Sequence, residues 1–201
     1  VDIFTTGSRN AGTANVFWNI GRRMGMLVFV GDVAKGALAI FIAWSLAVTG
    51  PLVLLVGAAA LLGHWKSLFA RFKGGDGMAT MIGLFVTVVP LLSLLGLASG
   101  TAVVFLLRRA ELRSALGMAF AMLVILALSL YYHIDRQMVM GLIGLGMLVL
   151  ARSVIGHQRR EAQDDNDAIT LDLDLDLDLE LGMDLGLEDE TDLGPPAPEN
   201  R

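Results

Sequence analysis

Three short polar segments interrupt an apolar sequence and contain side chains suited to binding a polar ligand. The first, "GSRNAGTAN", offers a hydroxyl group, several amides and closely spaced backbone N–H groups. The second, "GDVAKG", places a carboxylate and an ammonium group three residues apart, on one face of a helix. The third, "GHWKSLFARFKGGDGMAT", joins a histidine to three glycines before an apolar run. Together they indicate a site for a small anion, although the first segment could also be a simple turn.

The glycine-rich part of the third segment precedes a predicted apolar helix. Gly74, Gly75 and Gly77 could let backbone N–H groups approach an anion, and a helix N-terminus favours negative charge. Three nearby cations would strengthen that attraction: Lys66, Arg71 and Lys73. Asp76 opposes it, because a carboxylate repels a phosphate group. His64 lies close by in the sequence, but a lone histidine is more often structural than catalytic.

Asp32 and Lys35 lie inside the first long apolar stretch. A charged side chain at the centre of a bilayer costs about 2.5–3.5 kcal/mol on insertion scales, so charges there usually pair and often have a function. We therefore predict an intramembrane ion pair, which could be structural, functional or both.

The composition predicts a membrane protein. The 201 residues are 55% hydrophobic and 17% charged, with a mean hydropathy of +0.65. These values lie outside the range of typical soluble domains. There is no cysteine, so disulfide bonds are excluded. The sequence begins at Val1 in a polar stretch, and we expect a further helix upstream of it.

The apolar stretches predict an all-α fold, a polytopic membrane bundle with six helices in this sequence and seven in full. The stretches cover residues 24–48, 51–62, 78–107, 115–132 and 138–155. The stretch 78–107 is too long for a single crossing, which takes about 20 residues. We expect Pro90 and the small residues of 96–100 to divide it into two shortened helices in a hairpin.

The charges between these helices predict their orientation. Twelve lysines and arginines lie in loops on one side of the predicted bundle, whereas only Arg136 lies on the other. The positive-inside rule therefore places the cationic loops, with the first and third polar segments, on the cytoplasmic side.

Residues 161–201 form a low-complexity acidic tail, separate from the membrane domain of residues 1–160. The tail has 15 acidic residues against Arg201, whereas residues 1–160 have 14 cations and 5 acids. Leucine alternates with aspartate or glutamate from Leu171 to Leu181, which is the period of a strand. Aspartate is a poor strand former, however, and its charges repel along one face. We predict a disordered tail, with a segment that binds an unknown partner as the alternative.

In this order, the motifs resemble those of the bacterial acyl-phosphate:glycerol-3-phosphate acyltransferases, an integral membrane family. The resemblance rests on "GSRNAGTANV", "DVAKG" and "GHWKSLFARFKGGDGMAT", and it extends from Asp2 to about His157. It implies a multi-pass bundle of seven helices in the bacterial inner membrane, with the site loops and the tail in the cytoplasm. The implied reaction moves an acyl group from acyl phosphate to glycerol-3-phosphate and yields lysophosphatidic acid for phospholipid synthesis. Membrane lipid is the other expected partner; no cofactor, metal or nucleic acid is expected.

The resemblance also implies which residues form the site. His64 and Ser8 would be catalytic, and Asp32 with Lys35 would match a pair found in the family. The residues that bind the substrate and its phosphate would be Asn10, Gly12, Asn15, Lys73, Gly74, Gly75, Gly77 and Arg113. Because phosphate is a good leaving group, positioning and electrostatics could do most of the catalysis without a Ser–His–Asp triad.

The sequence departs from the family pattern at three positions and in one segment. Asp76 and Trp18 stand where the family has lysine and arginine, so two cations expected to hold phosphate are lost. The segment "RRAELRSA" lacks the family's Arg-Tyr-x-Ser pattern, and Arg160 stands where asparagine is expected after His157. Three other cations could compensate: Arg9, Arg71 and Arg113.

These departures leave two other functions open. One is a catalytically impaired paralogue that acts as a lipid-binding or regulatory membrane protein, with its acidic tail as the contact. The other is a transporter, which is disfavoured because transport needs charged residues along several helices and only Asp32 and Lys35 are evident.

Overall fold

The computed structural model describes residues 1–67 and 74–185. Seven helices occur in these ranges: α1 Thr13–Asn19, α2 Arg22–Ser45, α3 Leu52–Trp65, α4 Met78–Val88, α5 Pro90–Leu106, α6 Arg113–Tyr131 and α7 Arg136–Leu185. No strand occurs in the described residues. The predicted all-α fold is confirmed, and its six apolar helices correspond to α2 through α7.

Three of the helices are long and apolar enough to cross a membrane: α2, α6 and the part of α7 from Arg136 to Leu177. The other apolar helices are shorter, with 14 residues in α3, 11 in α4 and 17 in α5. At 1.5 Å per residue, α4 is only about 16 Å long, roughly half the thickness of the hydrocarbon core. The fold is a polytopic membrane bundle, as predicted.

The long apolar stretch is divided at Val89, where Pro90 predicted a break. Pro90 begins α5, a position where its missing N–H group is tolerated. Val89 leaves the helical conformation, with φ −133° and ψ 66°. The second predicted break is wrong, because Gly96 and Gly100 are buried inside α5. They allow α6 to pack closely against α5, and a Cβ atom on Gly100 would lie 2.6 Å from the Gly117 carbonyl oxygen.

The bundle packs through a few strong helix pairs. α4 packs against α2, α5 packs against α6, and α1 packs against α2. Buried apolar residues from several helices form one core, which includes Ile40, Val53, Leu61, Met81, Leu84, Phe85, Leu142 and Val149. Many other large apolar side chains are exposed, such as Phe41, Leu55 and Leu123. Exposed apolar side chains on this scale are expected of helices that contact lipid.

The backbones of α2 and α4 touch where they cross. A Cβ atom on Gly36 would overlap the Thr80 carbonyl oxygen, and one on Gly83 would overlap the Val33 carbonyl oxygen. Small residues commonly allow such close crossings in membranes. Asp32 lies one turn before Gly36 in α2, and α4 directly follows the glycine-rich segment. The crossing therefore brings the second polar segment close to the helix that follows the third.

Two segments differ from the sequence-based expectation. The predicted loop before α2 contains the helix α1, whose seven residues are too few to show a clear helical period in the sequence. The predicted disordered tail starts inside α7, which continues as a helix to Leu185. Leucine and glutamate are good helix formers, which favours a helix in this segment. The side chains of residues 161–177 are all exposed. By internal contacts the chain divides into two units, Val1–Gln158 and Arg159–Arg201.

We expect Gly83→Ala to lower the unfolding midpoint of the purified protein in detergent, because overpacking costs about 1–3 kcal/mol. Gly31→Ala is the matched control in α2, since no atom lies within 4 Å of a Cβ atom placed there. It should leave the midpoint unchanged or raise it, because alanine is favoured over glycine inside a helix by roughly 1 kcal/mol. Tryptophan fluorescence on heating measures both midpoints. Equal midpoints would contradict the close crossing.

Candidate active site

All three polar segments meet around the C-terminal end of α3. His64 lies in the last turn of this helix, with its Nδ1 atom 3.5 Å from Asp32 Oδ1 in α2. On its other side, a Cβ atom placed on Gly75 would lie 3.0 Å from His64 Nε2 and 3.3 Å from Gly12 Cα. The loop before α1, the charged part of α2 and the glycine-rich loop, residues 74–77, therefore surround one imidazole ring.

Asp32 and Lys35 do pair, with 2.9 Å between Lys35 Nζ and Asp32 Oδ1. The side chains of Asp32 and His64 are 7% and 8% exposed, whereas that of Lys35 is 63% exposed. The ammonium group therefore keeps access to its surroundings while it neutralises a buried carboxylate. The same carboxylate oxygen also faces His64, a contact that sequence spacing could not reveal.

The glycine-rich loop runs directly against the end of α3. Gly74 N donates to the Trp65 carbonyl oxygen at 3.1 Å, and a Cβ atom on Gly74 would overlap the His64 carbonyl oxygen. Gly77 has a φ of +96°, in the left-handed region that favours glycine. The close approach of loop and helix therefore explains two of the three glycines, independently of any bound anion.

α4 begins immediately after this loop, so its N-terminus lies at the site. The first N–H groups of a helix have no partner within the helix, and the helix dipole adds positive charge there. The first turn contains Thr80, which is 0% exposed. Its hydroxyl oxygen makes no hydrogen bond within the described parts of the chain. The first turn of α4 is thus a polar element beside the glycine-rich loop, with the Thr80 hydroxyl enclosed by the protein.

Asn15 holds the first loop in shape. It lies in α1 and is buried; its Nδ2 atom bonds to the loop, and its Oδ1 atom bonds to the loop and to Asn19 in α1. Nδ2 donates to the carbonyl oxygens of Ile3, Thr6 and Asn10 at 3.3, 2.9 and 2.9 Å, and Oδ1 accepts from Ser8 N and Asn19 Nδ2 at 3.1 and 2.7 Å. The amide is thus fully used inside the protein, which makes Asn15 a positioning residue.

The neighbouring predicted residues differ from Asn15 in this respect. The Ser8 hydroxyl and the Asn10 side-chain amide make no hydrogen bond to a described residue. Ser8 is exposed, whereas Asn10 and Gly12 are half-buried. Their polar groups are therefore available to a ligand at the edge of the loop.

The structure does not bring every predicted residue to His64. Lys73 and Arg71 lie outside the described residues. Arg113 Nη1 donates to the Arg108 carbonyl oxygen at 2.6 Å, within its own loop. Trp18, which replaces an expected arginine, is 65% exposed. The loop between α5 and α6 instead contacts α7, where Glu111 Oε2 lies 3.6 Å from His157 Nε2.

Three residues outside the predicted site fasten the glycine-rich loop. Trp65 Nε1 donates to the Asp76 carbonyl oxygen at 2.8 Å, and Ser153 Oγ donates to Asp76 Oδ2 at 3.2 Å. The Arg152 guanidinium carbon lies 5.2 Å from the centre of the Trp65 ring. The only sequence signal for these contacts was an arginine and a serine within the apolar sequence of α7.

The first 161 residues match the family described as Glycerol-3-phosphate acyltransferase. The glycerol-3-phosphate acyltransferase of Geobacter sulfurreducens is 35% identical over 158 residues, covering 79% of this chain and 77% of that protein. The protein of the same name from Geotalea daltonii is 46% identical over 98 residues, covering 49% of this chain and 50% of that protein. The chain thus spans about half the length of the Geotalea relative.

The fold is similar to the crystal structures of PlsY, described as an integral membrane glycerol 3-phosphate acyltransferase. The glycerol 3-phosphate form superposes with a TM-score of 0.64 and 27% identity, covering 85% of this chain and 80% of PlsY. The lysophosphatidic acid form gives a TM-score of 0.59 and 25% identity, covering 82% of this chain and 78% of PlsY.

We expect Asn15→Ala to loosen the first loop, because three carbonyl oxygens and one backbone N–H lose their partner. Trypsin should then cut after Arg9 roughly tenfold faster, since cleavage follows the opened population and each lost hydrogen bond contributes about 0.5–1.5 kcal/mol. Mass spectrometry of the detergent-solubilised protein measures this rate. Asn10→Ala is the matched control because its side-chain amide makes no such bonds. Equal cleavage of the two variants would show that Asn15 does not hold the loop.

Proposed function

Because the chain belongs to the glycerol-3-phosphate acyltransferase family, we propose that it acylates glycerol-3-phosphate to give lysophosphatidic acid, with an acyl phosphate as donor. The observation that carries the proposal is the meeting of His64, Asp32 and the glycine-rich loop at the start of α4. The shared name of the relatives supports this function over that of an impaired regulatory paralogue.

In the proposed reaction, a hydroxyl oxygen of glycerol-3-phosphate attacks the carbonyl carbon of the acyl phosphate. A new ester bond forms, the carbon–oxygen bond of the mixed anhydride breaks, and inorganic phosphate leaves with the electron pair. The hydroxyl proton must go to a base. The leaving group is already stable as an anion, so the protein mainly has to orient two substrates and stabilise negative charge.

His64 is suited to be that base. Asp32 faces its Nδ1 atom, an arrangement that favours the tautomer with the proton on Nδ1 and keeps the lone pair on Nε2. Nε2 lies on the side of Gly75, which is where a substrate bound at the loop would be. Asp32 thus orients the base, while Lys35 balances the charge of the carboxylate. General base catalysis of this kind typically contributes about 10²–10⁴-fold to the rate.

The phosphate group of the acceptor would bind at the start of α4. Support comes from the first N–H groups of α4, which a helix leaves without intrahelical partners. The buried Thr80 hydroxyl in the same turn makes no hydrogen bond within the described residues. Gly12 lies against Gly75, and the Asn10 amide lies against Gly12. Asn10 and Ser8 of the same loop would add amide and hydroxyl donors. The predicted contribution of Lys73 and Arg113 stays a prediction.

We place the site on the cytoplasmic side of the bacterial inner membrane. The distribution of cations supports this orientation, since twelve lie in the loops on the site side and Arg136 lies on the other. A water-soluble phosphate ester would then reach the site from the cytoplasm, whereas the acyl donor would reach it from the bilayer. The unknown partner of the acidic tail also stays a prediction.

Transfer from acyl phosphate to labelled glycerol-3-phosphate by the purified full chain tests this function directly. We expect turnover by the unmodified protein and a loss of about 10²-fold or more in kcat for His64→Gln, because the base is removed. Asp32→Asn should lower kcat less, since the base remains but is poorly oriented.

His133→Gln is the matched control, because His133 is an exposed histidine in the turn between α6 and α7. It should retain full turnover. An unmodified chain that transfers no acyl group would refute the proposed function. An active His64→Gln variant would refute only the role of His64.

A further inference from the structure

Asp76 attaches the glycine-rich loop to two helices at once. We infer that Trp65, Asp76 and Ser153 form a clamp that positions this loop for the substrate phosphate, so that Asp76 is a positioning residue. The inference rests on the proposed function, since it assigns the loop a phosphate to bind. It also gives a physical role to an aspartate at a position where an anion site would ordinarily have a cation.

Two hydrogen bonds join Asp76 to different helices. Its carbonyl oxygen accepts from Trp65 Nε1 in α3 at 2.8 Å, and its carboxylate accepts from Ser153 Oγ in α7 at 3.2 Å. Ser153 is 5% exposed, so its hydroxyl is shielded from competing water. Hydrogen bonds to a charged acceptor are stronger than neutral ones. The loop is therefore fixed in relation to both helices.

α7 also holds the indole of Trp65 in place. Arg152 precedes Ser153, and its guanidinium carbon lies 5.2 Å from the centre of the indole ring, within the range of a cation–π interaction. A Cβ atom on Gly77 would lie 2.9 Å from Trp65 Nε1, so the indole packs tightly against the loop. Of two consecutive residues of α7, Ser153 thus binds Asp76 directly and Arg152 contacts Trp65, which binds Asp76 from α3.

The clamp lies next to the groups proposed to bind phosphate. Asp76 directly follows Gly75, which lies against His64 Nε2, and comes two residues before Met78, where α4 begins. A shift of Asp76 would displace the loop and the first N–H groups of α4 from the position in which they bind phosphate. Small displacements of this kind can cost up to about 10²-fold in rate or affinity.

Asp76→Lys distinguishes two roles of Asp76, because a positioning role and a simple repulsion of phosphate predict opposite changes in the KM. A lysine restores the cation of the family pattern, but an ammonium group cannot accept a hydrogen bond from Ser153. If Asp76 only repelled phosphate, the variant would lower the KM for glycerol-3-phosphate. The clamp predicts a higher KM, by about tenfold. Asp76→Asn should stay near the unmodified value because its amide oxygen can still accept from Ser153.

The closing experiment combines steady-state kinetics of the full chain in detergent with hydrogen exchange of the amides of residues 74–80. Asp76→Ala and Ser153→Ala should each raise the KM for glycerol-3-phosphate by about tenfold while kcat changes little. The double variant should raise the KM by less than the product of the two single effects, because both single variants remove the contact between Asp76 and Ser153. Both single variants should also speed exchange in the loop.

Ser129→Ala is the matched control. Ser129 is a buried serine of α6 that is 1% exposed, and its hydroxyl donates to the Ile134 carbonyl oxygen at 3.3 Å. It should leave loop exchange and KM unchanged. Unaltered exchange in Asp76→Ala and Ser153→Ala, or a lower KM in Asp76→Lys, would overturn the clamp. Faster exchange in both, with no turnover by the unmodified chain, would support the clamp as a structural device and refute the proposed reaction.

Discussion

The close contact between the glycine-rich loop and the C-terminal end of α3 determines the geometry of the whole site. A side chain at Gly74 would overlap the backbone of His64, so loop and helix can approach only because the residue is glycine. That approach brings the start of α4 beside the imidazole ring. It also places the carbonyl group of Asp76 within reach of Trp65. The site is thus built from backbone contacts first, and its reactive side chains are arranged around them.

Burial of charge is the second constraint. Asp32 is almost fully buried within an apolar helix, where an uncompensated carboxylate would be costly. Lys35 compensates the charge from the same helix, and His64 approaches from α3. The need to compensate one buried charge therefore also orients the histidine. The close crossing of α2 and α4 keeps these groups at a fixed distance from the start of α4.

The sequence predicted the helices well because a lipid-facing helix must be apolar along most of its length. Pro90 marked the division of α4 from α5, whereas Gly96 and Gly100 were misleading because a helix-breaking residue in water can be a packing residue in a membrane. Spacing revealed the Asp32–Lys35 pair but not the contact with His64. Ser153 and Asp76 are 77 residues apart, and a single serine in an apolar helix has many potential partners. Such tertiary contacts leave no local pattern.

The short helix α3 has a consequence for the surrounding lipid. Its 14 residues reach only about 21 Å, against about 30 Å for an average hydrocarbon core, and it keeps exposed apolar side chains such as Leu55. A bilayer meets such a hydrophobic mismatch by thinning next to the protein, at a cost of a fraction of a kcal/mol per Å. The length of α3 thus couples the site at its C-terminal end to the thickness of the membrane, and hence to the chain length of the lipids around it.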